Sequence, residues 1–126
     1  MKKLLLLLPF YLLSACQNNS HSLNGKAFQL QIDETPVLIA FDENENRYFG
    51  KIVNNYFGNY TKNGQQISFQ PAGATMMMGP EKSMKAEQKW FETLPQITSY
   101  SQTKNSLIFT LKDGSQLKLN KTSIHR

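Results

Sequence analysis

The sequence predicts an α+β fold: a curled, mostly antiparallel sheet of about eight short strands, closing partly into a cracked barrel and packed on one helix near residues 80–94. Three observations predict it. One stretch alone, PEKSMKAEQKWFETL, carries helical periodicity. On both sides of it, short runs of apolar residues alternate with polar ones at a period of two, as half-buried strands do. The dipeptides Asn63-Gly64 and Asp113-Gly114 stand between such runs and signal tight hairpin turns. A chain of 126 residues suffices for one domain and one core.

The N-terminus is a separate matter. Lys2 and Lys3 precede ten uncharged residues, Leu4 to Leu13, which lead into Leu13-Ser14-Ala15-Cys16. A basic start, a short apolar run and small residues describe a secretory signal, and the run is shorter than the roughly 20 residues a membrane span needs. The last four residues resemble the bacterial lipobox, which implies cleavage before Cys16 and diacylglycerol on its thiol. Several acyl chains at about 0.8 kcal/mol per buried CH₂ would make release negligible. Gln17, where Asp would retain a lipoprotein at the inner membrane, is similar to the sorting signal for the outer membrane. The organisation expected is a signal at 1–15, a lipidated tether at 16–22, a domain at 23–120 and a tail at 121–126. Loss of Lys2 and Lys3 lowers the formal net charge by two, from +5 to +3. The remaining lysines are scattered among acids, so a nucleic-acid partner has no support.

Along the domain, Phe28, Leu30 and Ile32 mark a first strand, and Asp33-Glu34-Thr35-Pro36 turns the chain. Residues 37–41 are apolar on both faces and read as a central strand. The acidic run 42–46 reads as a solvated loop, lacking the glycine and distal glutamate of a calcium loop. Strands follow at 48–53, 56–61 and around Ile67 and Phe69, ended by Pro71. After the helix come strands at 97–101, at Leu107, Phe109 and Leu111, and at Leu117 and Leu119. A frayed tail is expected from Asn120.

In the helix, Pro80 suits the first helical position, Glu81 complements the positive dipole end, and Pro95 biases Leu94 away from helical geometry. Met84, Trp90, Phe91 and Leu94 share one side, and Lys82, Lys85, Lys89 and Thr93 the other. Glu87 interrupts the apolar stripe. A carboxylate there needs hydrogen bonds, a partner or a proton. With no histidine or second carboxylate at a suggestive spacing, a structural tie to loop amides is expected over a functional acid with a raised pKa.

Other candidate groups weigh less. Met76, Met77, Met78 and Met84 offer soft thioethers of the kind that bind Cu(I), yet neighbours in an extended segment point opposite ways, and methionine more often fills gaps in a core. No metal and no cofactor is expected. Tyr48, Phe49, Tyr56, Phe57 and Tyr60 surround Asn54 and Gly58; some belong to the core and others must face outward. His21 and His125 both lie in tails, so no nucleophile–base set exists and no catalytic residue is assigned. Cys16, the single cysteine, has no intrachain disulfide partner.

Between Gly50 and Leu94 the chain resembles the META domain of HslJ-like heat-inducible bacterial lipoproteins. Val53-Asn54-Asn55-Tyr56-Phe57-Gly58-Asn59-Tyr60 is similar to the family signature Cys-Asn-x-Tyr/Phe-x-Gly-x-Tyr. Residues 74–80, with Thr75, Met77 and Pro80, are similar to Thr-x-Met-x-Cys-Pro, followed by a helix bearing an acid where Glu87 stands. Leu23, Gly25 and Leu30 match the family's opening, with Phe28 where Trp is usual, and the run from Leu107 to Gly114 matches its closing hairpin. Val53 and Gly79 occupy positions where many members have cysteine, so a redox role at that pair is excluded here. The resemblance implies a small α+β envelope lipoprotein without assigned catalysis, linked to heat and antibiotic stress. Two functions are expected to compete. One is a monomeric, non-enzymatic lipoprotein on the periplasmic face of the outer membrane that binds another envelope component. The other is a pilot-like chaperone that holds a hydrophobic peptide or acyl chain in the barrel mouth.

Overall fold

The computed structural model describes residues 22–123. The segment expected to be a signal, Cys16, His21 and His125 lie outside the described residues. The elements are β1 (Ala27–Ile32), β2 (Thr35–Phe41), β3 (Arg47–Lys51), β4 (Asn55–Asn63), β5 (Gln66–Phe69), β6 (Gly73–Ala74), α1 (Glu81–Thr93) with a 3₁₀ turn at Leu94–Gln96, β7 (Ile97–Gln102), β8 (Ser106–Leu111) and β9 (Gln116–Thr122). Eight of the strands form an antiparallel ring in the order β3-β2-β1-β9-β8-β7-β5-β4, and β3 pairing with β4 closes it into a barrel. Closure leaves few strand edges open to wrong pairing. The thinnest junction is β5–β7, with one paired position, Gln66 with Ser99. A surface cleft of about 400 Å³ runs along it, lined by Ile67, Ser68, Pro95 and Ile97 among others.

Several boundaries differ from the sequence reading, each for a local reason. β6 is a ninth strand of two residues, held on β4 by Tyr56–Ala74 and Phe57–Gly73 pairing. It is too short to show periodicity. Thr35 and Pro36 belong to β2, because the β1–β2 hairpin turns on Asp33 and Glu34 alone, both at positive φ (49° and 69°). Such a two-residue loop fits the twist of the flanking strands. Likewise Gly64, at φ 63°, is the first of two turn residues with Gln65, one position later than Asn63-Gly64 suggested. Strand β3 stops at Lys51, and the chain past Asn120 is not frayed: β9 continues to Thr122, which pairs with Ala27. Pro80 is the N-cap of α1, in extended geometry, and not its first residue. Leu94 stays helical (φ −50°, ψ −48°) because the chain tightens into a 3₁₀ turn. Pro95 is the second residue of that turn, where a missing amide leaves nothing unpaired.

The core is a ring of aromatic side chains. Phe69 sits at its centre, with ring centroids 5.2 Å from Tyr48, 5.6 Å from Phe109, 5.9 Å from Tyr60 and 6.4 Å from Phe41. Phe28, Val37, Ile39, Leu107 and Leu119 complete it from the other strands. Burial of this apolar surface at about 25 cal/mol per Å² drives the fold.

The helix covers one end of the barrel. Ala86, Glu87 and Trp90 face inward, with Leu94 following from the 3₁₀ turn. On the outside, Lys89 reaches Asp33 (2.9 Å) and Lys82 reaches Glu34 (2.6 Å), joining α1 to the β1–β2 turn. The chain enters at the opposite end. There the Asn24 side chain donates to the Asp42 carbonyl (3.1 Å), and the Gly25 amide donates to Phe41 (3.0 Å).

Candidate functional site

The densest polar cluster lies where α1, the β3–β4 loop and the segment after β6 meet. Glu87 is 6% exposed. One carboxylate oxygen accepts from the backbone amides of Val53 (3.1 Å) and Asn54 (2.7 Å), and the other from the Asn54 side-chain amide (3.0 Å). Asn54 extends the network. Its amide nitrogen also donates to the Met77 carbonyl (3.2 Å), while its oxygen accepts from the Met77 amide and the Thr75 hydroxyl (2.9 Å). The Asn54 side chain thus pairs with Met77 as a neighbouring strand would. Thr75 Oγ1 in turn accepts from the Asn55 amide (3.1 Å). A carboxylate held by three donors is the form of buried charge that proteins tolerate.

A second contact locks the helix from within. Trp90 Nε1 donates to the Tyr56 hydroxyl (2.9 Å), which donates to the Leu38 carbonyl (2.6 Å). Burial holds the Tyr56 phenol protonated far above its ordinary range. Gly50, directly across from Tyr56, makes room for the ring: a Cβ there would lie 2.0 Å from the Leu38 oxygen and 2.5 Å from the Tyr56 hydroxyl. Gly58 stands across from Tyr48 in the same relation, and the Tyr48 hydroxyl donates to Gln70 (2.6 Å). Burial pushes the Tyr48 phenol up to about 12.

These glycine–tyrosine pairs were missed in reading the residues one at a time, although the sequence holds the signal. Tyr48-Phe49-Gly50 and Tyr56-Phe57-Gly58 repeat one tripeptide, and antiparallel pairing sets each tyrosine against the other's glycine. Phe49 and Phe57 fall between them on the outer face. Tyr60 is also buried, at 2% exposure, yet its hydroxyl has no partner.

Thus Glu87, Asn54, Thr75 and the Met77 backbone come together, with Pro80 opening the helix that carries Glu87. Tyr56 and Gly58 stand on the adjoining strand, whereas Tyr60 lies toward the far end. The methionines do not fill the core as expected. Met76, Met77 and Met78 are 94%, 52% and 87% exposed, because hydrogen bonds hold the backbone of this segment against β4 and leave its side chains outside. Val53 packs on Gly79: a Cβ on the glycine would lie 2.8 Å from Val53 Cγ1. Among the described residues, no three His, Cys, Asp or Glu side chains are grouped to hold a metal ion. Met84, Glu87 and Phe91 line an outer cleft of about 410 Å³ on the helix.

Fold and site together define a closed antiparallel barrel capped by one helix, with a buried carboxylate tying the cap to the β3–β4 loop and Asn54 carrying the tie on to Met77. The chain belongs to the META domain family, whose model matches residues 15–124. Among solved structures it is similar to a protein from Burkholderia xenovorans determined by NMR, with 18% identity over 81% of this chain and 85% of that one and a TM-score of 0.66. A second NMR structure is 17% identical over 78% of this chain and 90% of the other, with a TM-score of 0.59. A crystal structure of a DUF4847 family protein from Bacteroides vulgatus is 14% identical over 71% and 60% of the two chains, with a TM-score of 0.51. At these identities the likeness concerns the fold. No curated protein matches the chain.

Proposed function

We propose that this META domain protein is a non-enzymatic, monomeric lipoprotein of the outer membrane, tethered through acylated Cys16 and acting in envelope maintenance under heat or antibiotic stress by binding another envelope component. The run Leu13-Ser14-Ala15-Cys16 behind two lysines and an apolar stretch carries this reading. The stress role rests on the family resemblance alone. The described body is consistent with a binder: its buried carboxylate is occupied by structural donors. The chain enters at the barrel end opposite the helix, so a lipid at Cys16 would leave the helix end and its methionines pointing away from the membrane. Metabolic labelling with an alkynyl fatty acid tests the anchor. Label on the wild type and none on Cys16→Ala is expected; no label on the wild type, or equal label on both, refutes it.

The second reading, a chaperone for a hydrophobic peptide or acyl chain, has one observation in its favour, the cleft beside Met84 and Phe91. Trp90 lies fully buried behind it, so an occupant of this cleft would sit on the outer face of the helix. Titration with an apolar peptide or a fatty acid, followed by tryptophan fluorescence and by Phe91→Ala, separates the two. Saturable binding lost in Phe91→Ala supports the chaperone reading, and no binding removes it.

A further inference from the structure

Three consecutive thioethers standing in solvent need a reason, since a soluble surface gains nothing from large apolar side chains. Met76, Met77 and Met78 are exposed at 94%, 52% and 87%, and none belongs to the core. The segment that carries them is firmly held: the Thr75 amide donates to Asn55 (3.0 Å), and Asn54 bonds both the amide and the carbonyl of Met77. Those bonds use main-chain groups and the Asn54 side-chain amide, and none uses sulfur. The thioethers can therefore change chemically while the scaffold stays intact.

We propose that Met76, Met77 and Met78 form an oxidant-interception site whose substrates are small two-electron oxidants of the hypochlorous acid class. In each event the oxidant's oxygen bonds to sulfur as its bond to chlorine breaks. Sulfur loses two electrons to give the sulfoxide, chlorine leaves as chloride, and the hydroxyl proton passes to water. A sulfoxide is polar and disrupts a core. On this segment it stands in water, where polarity carries no penalty. Met84 provides the internal contrast, being partly buried beside Phe91 on the helix. The site draws on neither the anchor nor any binding partner, so it can fail or hold independently of the function proposed above.

The full chain, kept in detergent, is titrated with hypochlorous acid and cut by a Glu-specific protease, which places the triplet in residues 46–81 and Met84 in residues 82–87. Mass spectrometry should show Met76 and Met78 converting about tenfold faster than Met84, with Met77 between them. In denaturing urea the four should converge. The triply oxidised protein should keep the Tm and near-UV dichroism of the untreated one. In the variant M76L/M77L/M78L, whose substitutions are all exposed, Met84 should oxidise at about one-third of the wild-type dose. The proposal is overturned if Met84 in the folded wild type reacts as fast as the triplet, if oxidising the triplet melts the fold, or if the leucine variant leaves the Met84 dose unchanged.

Discussion

Toward the two ends of the barrel, two buried tyrosine hydroxyls are treated in opposite ways, that of Tyr56 bonded twice and that of Tyr60 not at all. At the helix end, Glu87 has three donors, Asn54 serves several partners at once, and the Tyr56 hydroxyl both accepts and donates. Toward the end where the chain enters, the hydroxyl of Tyr60 is buried among Phe41 and Phe69 with no partner at all. Loops and a helix must be joined at the first end, and side chains supply bonds that no strand ladder provides. At the second, main-chain bonds such as that from the Tyr60 amide to Asn46 (3.0 Å) already hold the strands to the loop. The lesson concerns the price of a polar atom: a buried group stabilises where its partners are built around it, and costs where they are not.

The largest expected effect breaks the helix end. Glu87→Ala orphans the amides of Val53 and Asn54 and should lower unfolding free energy by about 3–4 kcal/mol in urea titrations, at roughly 1–3 kcal/mol per unsatisfied donor. Gly50→Ala should come next, at about 3 kcal/mol by the same measurement, because the added Cβ meets a backbone oxygen that cannot move aside. A matched pair then sharpens the contrast. Tyr56→Phe removes the bond to Leu38 and strands the Trp90 N–H, costing about 1–2 kcal/mol, whereas Tyr60→Phe should fall within about 0.5 kcal/mol of wild type or above it. A loss in Tyr60→Phe equal to that in Tyr56→Phe would erase the comparison.

An alkaline titration probes the same phenols. Below pH 10, the ordinary tyrosine value, Tyr48 is neutral in both folded and unfolded chains and pH leaves its contribution intact. From pH 10 to about 12 only the unfolded chain releases the proton, so stability should fall through that window. Tyr56, held up further by burial, extends the fall beyond it. Tyrosinate absorbance rising together with loss of near-UV dichroism checks this; phenols that ionise while the fold persists would contradict it. A small effect is also expected on the surface, where Lys82→Ala and Lys89→Ala should each change stability by less than about 0.5 kcal/mol, since both ion pairs stand in solvent.

How much of this was legible in the residues depends on range. Strand alternation around Phe28, Phe69 and Phe109, and the one-sided helix from Glu81 to Thr93, are local patterns and could be read directly. Glu87 announced itself by interrupting an apolar stripe, which is also local. The two-residue strand β6 has no period to read, and the continuation of β9 to Thr122 depends on β1 offering a partner. The outward display of Met76, Met77 and Met78 ran against the usual preference of methionine for the interior. It is imposed by Asn54 and by pairing to β4, whose residues lie some twenty positions earlier in the chain.

By itself, then, the sequence determined the kind of most elements and their order and the presence of one carboxylate that had to be satisfied, because propensity and hydrophobic period act over a few residues. Tertiary structure alone decided that the ring closes through β3 and β4, that Tyr56 and Tyr48 lie over Gly50 and Gly58, and which donors surround Glu87. Each of those depends on groups brought together by burial of the common core, and no short-range pattern encodes where distant segments meet.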